Sequence, residues 1–454
     1  MPSTAVLLFT RDLRLHDNPT LHAACRAADR VVPLFVLDEA ILSSPYNAPN
    51  RAHFLAGALH DLDANLVQLG ANGLVVRGGD VAAEAAAVAA EVGADEVHLS
   101  ADWSGYAQRR QLRLAARLGA DGRRLRLHED TVAVQPPGSL TPAGKDHYAV
   151  FTPYFRTWSE AGLRTRVAKP SRVSGVRLRK GRLPSAADIC QGEPAPELPE
   201  PGETAGRRRI ATWRRSAVRR YEERHDDLPG DATARISPYL HFGCLSPVEV
   251  VRGAGRSAGA AAFVRQLAWR DFHLQVLAAR PDVARRDYRS RGDRWRRSRS
   301  ELDAWRRGRT GIPIVDAAMR QLLQEGWMHN RGRLLTASFL AKTLYLDWRL
   351  GARHFMDHLV DGDVANNQLN WQWVAGTGTD TRPNRVLNPL RQAARYDPDG
   401  DYVRRYVPEL AGVDGSAVHR PWRLPASIRA ELDYPEPLVN PDDGRRRFLE
   451  ARGR

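Results

Sequence analysis

The sequence predicts two architectures in one chain: an α/β domain with a Rossmann-like parallel sheet, then, after a long connection, an all-α domain. Three observations predict this. Up to residue 130, short apolar runs alternate with helical stretches, the pattern of βαβ units. Residues 131 to 205 change character, with Pro136-Pro137-Gly138 and a stretch from Gln191 to Glu203 rich in Pro, Glu and Gly, and read as a connection draped over the surface. From 206 to 454, β-alternation is scarce and helical periodicity returns. Nine of the eleven tryptophans fall in that last part, and the 454 residues exceed one ordinary core.

The first domain has strand candidates at Ala5–Phe9, Val31–Leu37, Leu74–Arg77, Glu96–Ser100 and Leu125–His128. Asn18 is expected to cap a helix starting at Pro19, Asn50 to cap 51–69, and Asp80 to cap the alanine-rich 81–92. The turn after the first strand, Thr10 to Pro19, contains no glycine, so the G-x-G-x-x-G signature of nicotinamide dinucleotide binding is absent. In the last domain, helices are expected over 263–279, 314–326, 331–346 and 354–360.

Apolar content of 43% with 27% charged residues fits a folded protein rather than a disordered one. No run of 18 apolar residues occurs, and Arg11 and Asp12 arrive too early for a signal peptide, so the cytoplasm is the expected compartment and no membrane partner is expected. Cys25, Cys190 and Cys244 have no ligand spacing and form no evident framework, so no metal is expected. The net charge of +15 makes a polyanion the natural partner. Only four lysines occur, so the excess is carried by arginine and is also what a biased composition produces.

Four segments concentrate chemistry. In 263–272, Gln266, Trp269 and Arg270 share one helical face, an amide, a flat ring and a guanidinium suited to a nucleobase and its phosphate. An amphipathic helix with one core tryptophan has the same pattern. Trp371 and Trp373 are about 200° apart on a helix, so the two rings meet different environments, although two core tryptophans would also do so. Asp361 to Asn367 packs two carboxylates and two amides into seven residues, and a polar loop is the plain alternative. In Trp327 to Arg333, Asn330 and Arg333 share a face, and Arg333 is placed to pair with Asp361 or Asp363.

The order of these motifs resembles the photolyase/cryptochrome family. The resemblance is carried by 9–19 (FTRDLRLHDNP), by Trp269-Arg270-Asp271-Phe272, by 311–339 (GIPIVDAAMRQLLQEGWMHNRGRLLTASF) and by 361–389 (DGDVANNQLNWQWVAGTGTDTRPNRVLNP). It runs from residue 5 to about residue 425 and is nearest to bacterial class I cyclobutane-dimer photolyases, in particular those of actinobacteria.

The resemblance implies an antenna domain, a linker and a helical domain holding FAD, working as FADH⁻. It implies flavin contacts at Tyr221, at Thr233, Ala234, Arg235, Ile236 and Ser237 of a phosphate loop, and at Phe263, Arg333, Asp361, Gly362, Asp363 and Asn367. Ala234 replaces a serine of the family loop. It implies an electron relay through Trp371, Trp348 and Trp295. It implies that Trp269 and Trp373 wall a flipped pyrimidine pair, with Gln266 and Asn330 on the base edges, and that Gln266, Arg270, Asn330, Arg331 and Gln392 face damaged DNA. Arg11, Asp38 and Asp102 are the implied contacts of a second chromophore, a deazaflavin ahead of a methenyltetrahydrofolate. The implied enzyme is a deoxyribodipyrimidine photo-lyase, expected to be a monomer.

Two departures bear on the lesion. Gln266 stands where many cyclobutane-dimer enzymes carry Glu, as in (6-4) photolyases. The histidines that (6-4) enzymes use for proton transfer are absent, with Asn330 and Leu334 in their places. The cyclobutane dimer is therefore the expected substrate. A cryptochrome photoreceptor is the rival, disfavoured by Asn367 and by the roughly 45 residues that follow Leu410. A flavoprotein reductase is disfavoured by the missing nicotinamide motif.

Overall fold

In the computed structural model, which describes residues 2–453, five strands form one parallel sheet. β1 (Thr4–Phe9) lies at its centre, between β2 (Arg30–Asp38) and β4 (Glu96–Ser100). β3 (Val75–Gly79) flanks β2 and β5 (Arg124–His128) flanks β4, giving the order β3-β2-β1-β4-β5. Ala5 to Phe9 are all buried, the continuous apolar run that a two-sided parallel strand requires. The edge strand β5 instead shows Arg124 and Arg126 to solvent, where both guanidiniums reach Glu96, at 2.8 and 2.7 Å. Winding reverses between β1 and β4, which opens a crevice beyond the carboxyl ends of those strands.

The helix starts follow local chemistry. Asn18 accepts from the Leu21 amide at 3.1 Å, and Asp80 accepts from the Ala82 and Ala83 amides. Asn50 is not a cap. The helix is Pro49–Gln68, with proline in its first turn, and Asn50 lies inside it. Its side chain is buried, donating to the His358 carbonyl and accepting from the Ala195 amide at 2.7 Å, so it joins the α/β half to two distant segments.

The connection is less superficial than its composition suggests. Its helix Phe151–Glu160 buries Phe151, Tyr154 and Trp158 against the long helix Ala258–Ala279. Buried Asp271 of that long helix accepts from the Val134 and Gln135 amides and from Trp158 Nε1, at 3.0, 2.9 and 2.9 Å. Burial pushes the Asp271 carboxyl up to about 6, against the opposing effects of Arg270 and of these donors. Further on, the chain follows the α/β half, where the Val31 amide donates to Ser174 O and the Val76 amide to Lys180 O.

The last part is helical as expected, with one interruption. The stretch expected as a single helix over 331–346 is the helix Asn330–Ser338 followed by a π turn, Phe339–Thr343. The sites are built on Ala258–Ala279, Asn330–Ser338, Trp348–His358 and Val364–Ala375. Trp305, Trp348 and Trp371 are fully buried in the core of this half. No helix among the described residues is long and apolar enough to cross a membrane.

Candidate active site

A cavity of about 450 Å³ opens between the four site-bearing helices. It is lined by Tyr221, Thr233 to Ser237, Phe263, Gln266, Trp269, Arg270, Asn330, Arg331, Arg333, Asp361, Asp363, Asn367, Trp371 and Trp373. Residues separated by 150 positions in the chain thus share one space. Gln266 and Asn330 are exposed at the mouth, and Trp269 and Trp373 are half-buried beside it. Asp361, Asp363, Asn367 and Trp371 are buried deeper.

The interior is fixed by charge pairs and caps. Arg333 donates to Asp361 at 2.8 Å and to the Met328 carbonyl at 2.9 Å. Asp363 caps the helix Val364–Ala375 through the Asn366 amide, and receives Arg11 at 2.7 Å. Burial pushes its carboxyl up, but the Arg11 and Arg270 cations outweigh burial and hold it well below the usual range. Asn367 donates Nδ2–H to the Ala352 carbonyl at 3.0 Å, which orients the amide and leaves its oxygen as an acceptor. Trp269 stacks on Phe151, with centroids 3.7 Å apart and planes 7° apart, so the connection holds this ring flat.

Several lining groups lack a partner. Thr233 Oγ1, His273 Nε2, Asp361 Oδ1 and Trp371 Nε1 are buried with no hydrogen bond among the described residues. With His241 Nδ1, five orphaned polar atoms around one cavity mark a place for a polar ligand, because leaving each unpaired costs about 1–3 kcal/mol. His273 and His241, which also line the cavity, went unnoticed in the sequence. Burial lowers them to about 4 and about 3, so both are neutral at neutral pH.

Two expected residues, Gly362 and Gln392, lie outside this lining, and three lining arginines are already engaged. Gly362 faces the other side of its turn, where added side-chain bulk would meet Arg51, and it lines a second cavity. Arg270 does not present a free cation: it donates to the Val132 and Leu240 carbonyls, at 2.8 and 3.3 Å. Arg235 adopts a left-handed backbone (φ 49°), pairs with Asp231 and Glu325 at 2.6 Å each, and covers the Trp327 ring at 4.3 Å. Arg331 is paired with Asp226. Gln392 is outside the lining and its Oε1 is buried and unpaired.

Trp371 reaches the cavity and packs edge-on against Phe355 at 5.0 Å and Trp305 at 6.0 Å. Trp348 donates Nε1–H to Asp287 at 2.9 Å and lies under Arg349 at 4.7 Å. Trp295 is half-buried and meets Tyr345 at 5.0 Å.

The second cavity, about 730 Å³, lies where the sheet winding reverses. Its wall includes Leu8, Phe35, Leu37, Leu55, Phe242 and Leu277, and Arg11, Asp38 and Asp102 all line it. Asp38 accepts from the Tyr106 hydroxyl, and burial together with that carboxylate pushes the phenol up to about 12. Arg11 is more than a lining residue. It bridges Asp102 at 3.4 Å, Asp363 at 2.7 Å and the His241 carbonyl at 3.2 Å, joining the two halves. His241 and Asp363 line both cavities and form part of the wall between them.

Comparison with known proteins agrees with this geometry. Residues 5–172 match the family model described as DNA photolyase, and residues 263–454 match the one described as the FAD binding domain of DNA photolyase. The chain belongs to the DNA photolyase family. Among relatives, it is 56% identical to the deoxyribodipyrimidine photo-lyase of Streptomyces griseus, over 99% of both chains. Among solved structures, it superposes on a class III photolyase from Agrobacterium tumefaciens with a TM-score of 0.93 and 30% identity, over 100% of this chain and 98% of that one. It matches an archaeal photolyase from Sulfolobus tokodaii, solved with two FAD molecules, with a TM-score of 0.87 and 29% identity, over 99% of each. Membership brings an FAD-binding domain, and the orphaned donors and acceptors of the smaller cavity are suited to such a polar cofactor.

Proposed function

We propose that this photolyase-family chain is a deoxyribodipyrimidine photo-lyase that repairs cyclobutane pyrimidine dimers in DNA by light, with FAD in the smaller cavity. The observation that carries the reading is the layering of that cavity: two aromatic walls at the mouth above a floor of orphaned polar groups and oriented amides. When bound in reduced form, the flavin supplies the light-driven electron that opens the dimer and takes it back.

The protein's own residues do the rest. Arg333 and Asp361 hold a fixed ion pair beside the flavin space, and Asn367 presents an oriented amide there. Tyr221, Phe263 and the Thr233–Ser237 loop enclose the remainder. Basic surface attracts the phosphate backbone without reading sequence. A dimer stacks poorly, so turning it out of the duplex costs only a few kcal/mol. Trp269 and Trp373 receive it, returning about 1–3 kcal/mol per base by stacking. Gln266 and Asn330 are free at the mouth to hydrogen-bond base edges. Splitting the cyclobutane ring needs no net proton transfer, which agrees with a mouth whose two histidine-bearing family positions hold Asn330 and Leu334. Trp371, Trp348 and Trp295 form the proposed relay that returns the flavin to its reduced state.

The larger cavity is proposed to hold a second, light-harvesting chromophore. Its apolar walls with polar groups at Asp38, Asp102 and Tyr106 favour a flat tricycle such as a deazaflavin over a folate. Mass and absorption spectra of extracted chromophore decide between them. The main test is illumination of the FAD-loaded protein with an oligonucleotide carrying one cyclobutane dimer. Restored pyrimidines are expected. Repair of a (6-4) adduct instead, or light-induced flavin chemistry with no repair of either lesion, overturns the assignment and favours the (6-4) or photoreceptor reading.

A further inference from the structure

We propose that Tyr345 is a terminal electron donor beyond Trp295, with Asp293 as the acceptor of its phenolic proton; the inference rests on the relay reading above.

The backbone holds the two rings together. A parallel bridge joins Arg296 to Leu346, and the Arg296 amide donates to the Tyr345 carbonyl at 2.9 Å. Arg296 Nη1 adds a bond to the Leu344 carbonyl at 2.8 Å. Trp295 and Tyr345, one residue before each bridge partner, then meet with centroids 5.0 Å apart and planes at 50°. The tyrosine adopts this position at a cost. Its φ of 56° is left-handed, a conformation that bulky residues rarely take and that costs about 1–3 kcal/mol.

The phenol has its proton acceptor in place. Tyr345 donates O–H to Asp293 Oδ1 at 3.1 Å. The carboxylate is clamped by Arg452, Nε to Oδ1 at 2.5 Å and Nη2 to Oδ2 at 2.6 Å, and the two side chains are 5% and 2% exposed. Phe448, from the same C-terminal helix Pro441–Ala451 that precedes Arg452, closes over the tyrosine edge at 6.0 Å. Burial first, and Asp293 second, push the phenol above its ordinary range, so it is protonated when an oxidant arrives. An oxidised phenol is a strong acid, and electron loss is favourable only where a base can take the proton in the same step. Asp293 is that base.

The step balances. A flavin bound in the smaller cavity, oxidised and excited by light, would supply the oxidising equivalent, and the relay would carry it to Trp295 as one positive hole. Tyr345 gives one electron to Trp295 and its O–H proton to Asp293. The products are neutral Trp295, a neutral tyrosyl radical and a protonated Asp293 carboxyl. The hole moves from a half-buried indole to a phenol that is 4% exposed. A purely structural Tyr345, pinning the C-terminal helix, would share the hydrogen bond but leave no radical.

The test is electron paramagnetic resonance of full-length FAD-loaded protein, oxidised and then illuminated, made with ordinary or ring-deuterated tyrosine. A spectrum that narrows on tyrosine deuteration is expected. It should be lost in Tyr345→Phe, which keeps the ring packing, and replaced there by a tryptophanyl signal. In Asp293→Asn the tyrosyl signal should fall and the tryptophanyl signal persist, with circular dichroism confirming the fold. A tryptophanyl signal alone in the unaltered protein, or a tyrosyl signal that survives in Tyr345→Phe, overturns the proposal and leaves the relay intact. Absence of any tryptophanyl or tyrosyl radical overturns the relay reading as well.

Discussion

The two cavities share a wall and differ in construction. The smaller lies within the helical half, and its key groups sit on helices or in the turns that lead into them, where caps and ion pairs orient the side chains. The larger lies between the halves and is bounded by loops that follow β1, β2 and β4. The helical cavity is therefore fixed by local structure, while the interdomain cavity depends on how the two halves meet. Arg11 and Asp363 are the contact through which the second depends on the first, since their ion pair lies in the dividing wall.

Removing that contact is the largest break. Asp363→Ala leaves Arg11 with Asp102 at 3.4 Å and the His241 carbonyl at 3.2 Å, and uncaps the helix Val364–Ala375. A loss of about 3–5 kcal/mol is expected from breaking a buried pair on one side, read by urea unfolding of the full chain. The occupants of both cavities should be retained less well. Loss of flavin alone would mean that the interdomain cavity does not depend on this pair.

Arg333→Gln sharpens the comparison by touching the helical cavity only. It removes a charged hydrogen bond to Asp361, worth about 1.5–3 kcal/mol. Flavin retention after gel filtration should fall, with the interdomain occupant unchanged. Trp269→Ala acts at the mouth. It should weaken the preference for dimer-containing over intact DNA by about 1–3 kcal/mol, measured as the ratio of the two Kd values by fluorescence anisotropy. An unchanged ratio removes Trp269 from recognition, whatever the variant does to the stacked Phe151.

The smallest effect is expected on the other side of the wall. Tyr106→Phe deletes one hydroxyl from Asp38, a change of about 0.5–1.5 kcal/mol. Binding of the proposed second chromophore should weaken while flavin absorbance stays constant. A fall in flavin content would show that the cavities are coupled beyond Arg11 and Asp363.

Legibility followed the same division. The strands, the Asn18 and Asp80 caps and the faces of Gln266, Trp269, Asn330 and Arg333 all follow from short-range pattern, and the structure brings those four side chains to one cavity. The helix Phe151–Glu160 was there to be read from aromatic residues three and four apart, but the Pro- and Gly-rich stretches on either side concealed it. Gly362 and Asp363 show how a turn sends neighbouring residues to different places, Asp363 to both cavities and Gly362 to the larger one. The pattern put Arg270 on a polar face, but a guanidinium there says nothing about which carbonyls will engage it.

By itself, the sequence determined that an α/β half precedes a helical half, most of the elements within them and the polar and aromatic residue types that line the smaller cavity. These rest on interactions among residues a few positions apart, whose geometry the backbone sets. Only the tertiary structure decided that Arg11 ties the halves together, that Tyr345 faces Trp295, and which polar atoms stay unpaired around the smaller cavity. Those pairings join residues far apart in the chain, and they come into existence only when packing has chosen the partner of each buried charge, ring and hydrogen-bonding group.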